Sequence, residues 1–226
     1  MRANLTTLLF PTILFFRFLS PSKPDPDLLH DYCIADTSAA AAQSFHLNGL
    51  PCLDPALAQP SHFATSALSK STNPAATLFG FNVTLTNPAT SFPGANAQGL
   101  SMARIDLAPG GLAPPHAHPR ASEVTLLLQG TLVLVGFVDT SYRLYTQQLR
   151  PGEAFVFPKG LVHFLYNFDP GDPAVLLSGL SSQSPGAQLA PLATFRTEPQ
   201  IIEDVLKKAF KINGQDVQRI QRNLGG

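Results

Sequence analysis

Two segments of the 226-residue chain set metal-binding side chains between glycines at fixed intervals. The first segment carries His116, His118 and Glu123, and the second carries His163. In full, the patterns are Gly110-x5-His116-x-His118-x4-Glu123-x6-Gly130 and Gly152-x5-Pro158-x-Gly160-x2-His163-x3-Asn167. Residues two apart on an extended strand project to the same face, so the first two histidines can point their imidazoles at one ion.

The other two side chains reach the same ion only if the chain folds back in a particular way. Pro119 and the small residues after it suit a bend that returns Glu123 towards the histidine pair. His163 lies in an apolar segment and joins them if that strand pairs beside the first. Alone, each residue has an ordinary explanation, such as a surface pair, a solvated turn carboxylate or a core histidine. The complete set predicts one metal site with four protein ligands and no catalytic residue beyond them.

The middle of the chain alternates short apolar runs, rich in β-branched and aromatic residues, with Gly, Pro and Asn turns. Such runs predict strands. The predicted strands are 78–85, 99–107, 122–128, 131–138, 142–148, 153–158, 162–168 and 173–179. This spacing is typical of an all-β sandwich or barrel. Beyond residue 196 the apolar spacing becomes helical, which predicts one helix around 201–210 and a second at 215–223.

Several runs beyond the histidines carry a family resemblance. The runs 101–111 and 114–123 are similar to germin-like proteins of the plant germin family, in the cupin superfamily, almost residue for residue. Shorter matches lie at 31–36, 92–94 and 205–210. The resemblance implies a cupin jelly-roll β-barrel with a C-terminal helical extension. We place an N-terminal arm at 23–75, the barrel at 76–196 and the helices at 197–226. Asn167 and Phe155 are expected near the barrel interior.

The ligand set alone does not choose the metal. Three neutral imidazoles and one carboxylate leave two open positions on a six-coordinate ion. Zinc could take the same four ligands as a closed tetrahedron, and iron, nickel or copper would also bind. The site resembles that of the germins, which bind manganese. The resemblance therefore implies manganese as the cofactor. It also implies a homo-oligomer, a hexamer built as a trimer of dimers.

The balance and the low share of charged residues bear on which partners the protein can have. Lys and Arg together number 15, equal to Asp and Glu together, which gives no electrostatic case for nucleic acid or an anionic membrane. Charged residues make up 13% of the chain, against a usual share of about 25%. The rather apolar surface that follows would be explained by oligomerisation.

The N-terminus predicts secretion. Residues 1–22 read as a signal peptide, whose apolar run is shorter than the roughly 20 residues of a membrane span. An uncleaved hydrophobic N-terminus is the alternative. The two cysteines, Cys33 and Cys52, predict one disulfide in an oxidising compartment, worth about 3 kcal/mol. Two free thiols in a cytosolic protein are the alternative. The sequon at Asn82 predicts a glycoprotein if Asn82 faces solvent.

Three functions fit these features. The first is an extracellular manganese protein of the apoplast and cell wall, with superoxide dismutase-like chemistry on a small oxygen species that releases hydrogen peroxide. The second is oxalate oxidase, which we disfavour because the resemblance implies substrate-holding asparagines where this chain has Ala103 and Ala113. The third is a non-enzymatic binding or storage protein, either a nutrient reservoir or a small-ligand receptor, in which the metal stabilises the barrel.

Overall fold

The computed structural model describes residues 30–38 and 49–225, so the predicted signal peptide lies outside the described residues. Within that part of the chain, ten strands form two five-stranded antiparallel sheets, in the orders β1-β2-β9-β4-β7 and β10-β3-β8-β5-β6. The strands are β1 (Phe81–Leu85), β2 (Ser101–Leu107), β3 (Leu112–Ala117), β4 (Glu123–Gln129), β5 (Val133–Val138), β6 (Leu144–Leu149), β7 (Ala154–Phe157), β8 (Val162–Tyr166), β9 (Ala174–Leu180) and β10 (Gln188–Leu189). The jelly-roll prediction is confirmed.

The core lies between the two sheets and follows the alternation of the strands. In β9 every second residue is buried, including Leu176, because successive side chains point to opposite faces. Leu107 of β2 and Leu127 of β4 meet it from the neighbouring strands of the same sheet, and Val135 and Leu165 face them from the second sheet. Phe155 packs against this cluster, as expected.

All eight predicted strands are present, but two strands were missed. The segment β3 holds His116, yet Pro114 and Pro115 lie in its middle, and proline argues against a strand because it has no N–H for the ladder. The structure accommodates them at an irregularity in the pairing of β3 with β8, between Ala113 and His116. The second missed strand, β10, has only two residues.

Three α-helices follow the sheets: α1 (Ala190–Phe195), α2 (Glu203–Phe210) and α3 (Gly214–Asn223). The last two confirm the helical spacing, and α1 was not predicted. Their apolar residues form a small core of Phe195, Leu206, Val217 and Leu224. Part of the amphipathic surface therefore packs within the chain itself.

The N-terminal arm is fastened at two places. The predicted disulfide joins Cys33 to Cys52. Beside it, the buried side chain of Asn96 donates to the carbonyl of Leu50 at 2.8 Å and accepts from the N–H of Leu50 at 3.0 Å. The loop 93–96 before β2 is thereby bound to the disulfide-linked segment.

The second fastening is a partly buried ion pair on β2. Arg104 Nε donates to both carboxylate oxygens of Asp106, at 3.0 and 3.1 Å. Arg104 Nη1 also donates to the carbonyl of Leu68, and the hydroxyl of Thr72 donates to Asp106 at 3.0 Å. Burial alone would raise the pKa of Asp106, but the hydrogen bonds from Arg104 and Thr72 outweigh it and lower that pKa.

We expect Asp106→Asn to lower the free energy of unfolding by about 2–3 kcal/mol, because Arg104 loses its charged partner. The loss is held to this range because the Arg104 side chain keeps 17% of its surface in water. Urea unfolding should give a lower midpoint with an unchanged slope. Asp172→Asn, at an exposed turn position, is the matched control, and equal midpoints for the two variants would contradict the fastening role.

Candidate metal centre

Three of the four predicted ligands lie on strands, and the fourth lies directly after the end of one. His116 lies in β3, and His118 follows the end of that strand by one residue. A turn at Pro119 and Arg120, as expected from the sequence, then leads to Glu123, the first residue of β4. His163 on β8 is the direct cross-strand partner of His116. The structure thus pairs the two sequence segments.

One possible donor atom from each of the four side chains lies within 4.8 Å of the others. The Nε2 atoms of His118 and His163 lie 3.0 and 3.4 Å from Glu123 Oε2. The ring centres of His116 and His163 are 4.1 Å apart. His116, Glu123 and His163 are buried, and His118 keeps the largest share of solvent contact.

Each imidazole is oriented by a backbone carbonyl on its Nδ1 side. His116 Nδ1 lies 2.8 Å from the carbonyl of Pro114, and His163 Nδ1 lies 2.9 Å from that of Leu161. His118 Nδ1 contacts the carbonyl of Gly186. A carbonyl only accepts, so each Nδ1 carries the proton and each Nε2 keeps its lone pair. Metal-binding histidines are typically held in this way.

The arrangement leaves acceptor atoms facing one another. Glu123 Oε2 and His163 Nε2 are buried and have no hydrogen-bond partner among the residues that the structure describes. The short His118–Glu123 contact is a hydrogen bond only if His118 takes a second proton. Buried polar atoms without partners are unfavourable, and a cation among the four donors removes that penalty. The residues present therefore fit a divalent metal ion.

The pKa values favour the metal-binding protonation states for Glu123 and His116. Burial would raise the pKa of Glu123, but the close approach of His118 and His163, followed by that of Ser178, holds it well below its usual range. Burial, followed by repulsion from His163, lowers the pKa of His116 to about 4. For His118, burial lowers the pKa, but Glu123 and the Gly186 carbonyl together raise it above its ordinary value.

A cavity of about 430 Å³ opens beside the four side chains, between the edge strands β1 and β10. Its walls are mostly apolar and include Phe81, Ile105 and Leu165. Ala103 and Ala113 also line it, both buried. The two positions singled out against oxalate oxidase therefore do lie at the site.

Some residues around the site were missed from the sequence. Gly186, whose carbonyl orients His118, lies 68 positions away along the chain, and no motif marks it. Arg120 also lines the cavity, and the bend predicted at Pro119 gives no sign of that position. Asn167, which is buried, donates from Nδ2 to the carbonyls of Ala108 and Asp172 and joins two loops. Asn82 is half-buried in β1, and its glycosylation stays a prediction.

Comparison with known proteins agrees with the fold and the site. The cupin family model matches residues 67–218. Germin-like protein 3-1 of Oryza sativa subsp. japonica is 69% identical over 227 residues, covering 100% of both chains. Germin-like protein subfamily 1 member 1 of Arabidopsis thaliana is 52% identical over 222 residues, covering 98% of this chain and 99% of its own.

Among solved structures, an oxalate oxidase in complex with the substrate analogue glycolate is similar, with a TM-score of 0.82 and 36% sequence identity. The match covers 89% of this chain and 99% of that chain. A family model that spans most of the chain and full-length relatives agree on one assignment, and the chain belongs to the germin-like proteins of the cupin family.

Proposed function

We propose that this protein is a secreted manganese protein with superoxide dismutase-like activity. The observation that carries the proposal is the convergence of four donor side chains, three of them buried, in which Glu123 Oε2 and His163 Nε2 find no hydrogen-bond partner among the described residues. Bound manganese would supply one-electron redox chemistry, by which two superoxide ions and two protons give dioxygen and hydrogen peroxide. His116, His118, Glu123 and His163 would hold the ion, and manganese is chosen on the family resemblance.

The chain's own groups prepare the site for a small charged oxygen species. The carbonyls of Pro114, Leu161 and Gly186 fix the imidazoles, so no ligand has to reorient when an ion binds. Glu123 stays ionised and balances one positive charge. The apolar walls of the cavity limit the water that surrounds the site and so strengthen its electrostatic interactions.

Oxalate oxidation is disfavoured although a similar solved structure is an oxalate oxidase. Ala103 and Ala113 present only methyl groups to the cavity. Neither side chain can donate a hydrogen bond to a carboxylate of oxalate, and sites lacking such donors can lose several orders of magnitude in discrimination.

The protein purified from secreted material, without added metal or chelator, should contain near one manganese per chain and should accelerate superoxide loss. Removal of the ion by a chelator should abolish the activity, and manganese alone should restore it. Glu123→Gln keeps the side-chain volume and removes the charge, so it should show low metal content and low activity. Zinc as the sole ion, or activity that survives complete metal removal, would contradict the proposal.

The extracellular space, meaning the apoplast and cell wall, is the proposed location. The disulfide supports an oxidising compartment. The predicted signal peptide at 1–22 and the sequon at Asn82 agree with it. No helix in the described part of the chain has the length and apolar character needed to cross a membrane.

A homo-hexamer, built as a trimer of dimers, is the proposed assembly. Helix α2 and the residue that precedes it keep three apolar side chains in water: Ile202 at 69%, Val205 at 50% and Phe210 at 50% of their surface. Single exposed apolar residues are common, but a cluster on one helix favours a protein partner. Sedimentation should give about six times the mass of one chain. Val205→Asp should lower that mass, whereas Lys208→Gln on the same helix should not.

A second candidate is a binding or storage protein without turnover. It is favoured by the volume of the cavity, about 430 Å³, which is larger than a diatomic oxygen species needs, and by its mostly apolar walls. The superoxide assay separates the two candidates, because a pure binding protein would hold the ion and leave superoxide unchanged.

A further inference from the structure

We propose that Arg120 is a positioning residue of the metal centre. Its side chain holds the loop at 182–187 against the site, and the carbonyl of Gly186 in that loop in turn fixes the imidazole of His118. The inference rests on the metal-binding part of the proposed function. It concerns a residue that offers no ligand atom itself, because a guanidinium has donors only.

The loop lies between β9 and β10 and has no regular secondary structure. Its first part is fixed independently of Arg120. The hydroxyl of Ser101 donates to the carbonyl of Ser182 at 2.7 Å, and both residues are buried. The side-chain carbonyl of Gln183 accepts from the backbone N–H of Ala97. Gln183 lies three residues before the carbonyl that reaches His118, so these contacts leave the second part of the loop to be held by another group.

Arg120 makes three hydrogen bonds to the second part of the loop. Its backbone N–H donates to the carbonyl of Pro185 at 3.2 Å. Its Nε donates to the carbonyl of Ser184 at 2.6 Å, and its Nη2 donates to the hydroxyl of Ser184 at 3.3 Å. One residue therefore binds two consecutive loop residues, and the rigid fork of a guanidinium suits this arrangement.

The guanidinium also packs directly on Gly186. A Cβ atom at this position would lie 3.0 Å from Nη2 and 3.3 Å from Cζ of Arg120, which is closer than ordinary contact. Gly186 has a φ of 69°, which glycine adopts without steric cost. Its carbonyl contacts Nδ1 of His118. Arg120 thus contacts the residue that orients the ligand.

The orientation of His118 depends on this loop because its carbonyl partner is distant in the chain. The carbonyls that orient the other two histidines belong to Pro114 and Leu161, each two residues before its histidine. The partner of His118 lies 68 residues away. A neighbouring carbonyl is placed by its own chain segment, whereas a distant one needs a contact that holds it there. Arg120 supplies that contact.

The charge of Arg120 acts in the opposite direction. A guanidinium beside a divalent cation repels it, so charge alone would make Arg120→Gln bind metal more tightly. Loss of a partner that orients a ligand instead weakens metal binding, by about 10–100-fold. The sign of the change therefore separates a positioning role from a purely electrostatic one.

Chelator competition on the intact secreted protein measures the affinity for manganese and, in parallel, for zinc, which has no redox chemistry. Arg120→Gln should weaken the binding of both ions about tenfold, at the lower end of the range because the contacts at Ser182 and Gln183 remain. Arg120→Lys keeps the charge but replaces the fork by one ammonium, so its affinity should be intermediate. Arg219→Gln removes an arginine that pairs with Asp216 on α3, and it should leave the affinity unchanged.

Hydrogen exchange of the metal-free protein, followed by mass spectrometry, gives a second readout. Peptides that cover 182–187 should exchange faster in Arg120→Gln, while peptides from β9 should keep their rate. At saturating manganese, the paramagnetic resonance spectrum of the variant should broaden, because His118 takes more than one orientation. Arg120 is exposed, so the variant should fold with an unchanged urea midpoint.

Equal or tighter metal binding by Arg120→Gln would overturn the proposal, and so would weaker binding without faster exchange in the loop. Superoxide turnover enters none of these measurements. A protein that shows the expected order of affinities but leaves superoxide unchanged would refute the redox proposal alone. A protein that dismutes superoxide and binds metal equally well with and without Arg120 would refute this inference alone.

Discussion

Replacing His163 by alanine should reduce the metal content of the secreted protein from near one ion per chain to a small fraction of that value. His163 supplies one of four donors, and its Nε2 is a buried atom with no hydrogen-bond partner in the described part of the chain. Loss of a group that merely orients a ligand lowers metal affinity about 10–100-fold, so loss of the ligand itself should exceed the upper end of that range. Elemental analysis and competition with a chelator measure both quantities.

The test needs controls because His163 also contributes to packing. Its ring stacks on Phe157, with centres 4.4 Å apart, and only 1% of its surface is exposed. His163→Gln fills more of this space than alanine does, and it should lose metal with a smaller loss of stability. His30→Ala removes an exposed histidine outside the site and should keep full occupancy. Full metal content in His163→Ala would refute the joint site.

The ligand set could be predicted from sequence because each donor has a local geometric reason for its place. A spacing of two on a strand brings His116 and His118 to one face, and the turn at Pro119 returns Glu123. Gly110 and Gly152 adopt positive φ values of 66° and 92° where the chain turns, as glycines between apolar runs predict. Strand pairing then places His163 opposite His116.

Other features could not be predicted because they depend on contacts between distant parts of the chain. The carbonyl of Gly186 reaches His118 only after the loop before β10 folds over the site. The fastening of Thr72 to Asp106 joins an arm without regular periodicity to a strand 34 residues later. The side chain of Arg120 is held at the cavity by its hydrogen bond to the carbonyl of Ser184. The sequence motif that contains Arg120 gives no sign of this partner.

Acidification should weaken metal binding in two stages, since protons and the metal compete for the same Nε2 atoms. The pKa of His118 lies above its ordinary value of 6.5, so His118 takes up a proton first as the pH falls. His116, with a pKa of about 4, stays neutral until much lower pH. The carboxyl of Glu123 remains ionised throughout this range, because its pKa is held well below usual.

The apparent affinity should therefore fall at least about tenfold per pH unit between pH 6 and 4, where one proton competes at His118. Below pH 4 the slope should steepen, because His116 adds a second competing proton. Chelator competition across this range measures the slope, and calorimetry in buffers of different ionisation enthalpy counts the protons released per ion. A metal affinity that is constant down to pH 4 would contradict the assignment of His118 as a ligand.

The same two histidines should affect the folding of the metal-free protein with opposite signs. The pKa of His116 is lowered on folding, so between pH 6.5 and about 4 the unfolded chain binds more protons and the free energy of unfolding decreases as the pH falls. The pKa of His118 is raised, so its stabilising effect is present below pH 6.5 and is lost as the pH rises through the folded value. His118→Gln removes the second effect, so its free energy of unfolding should lack the rise that the unchanged protein shows as the pH falls to 6.5, and below pH 6.5 the two proteins should lose stability in parallel. Bound metal requires both imidazoles to be neutral, so saturating metal should make the free energy of unfolding decrease with acid at both sites.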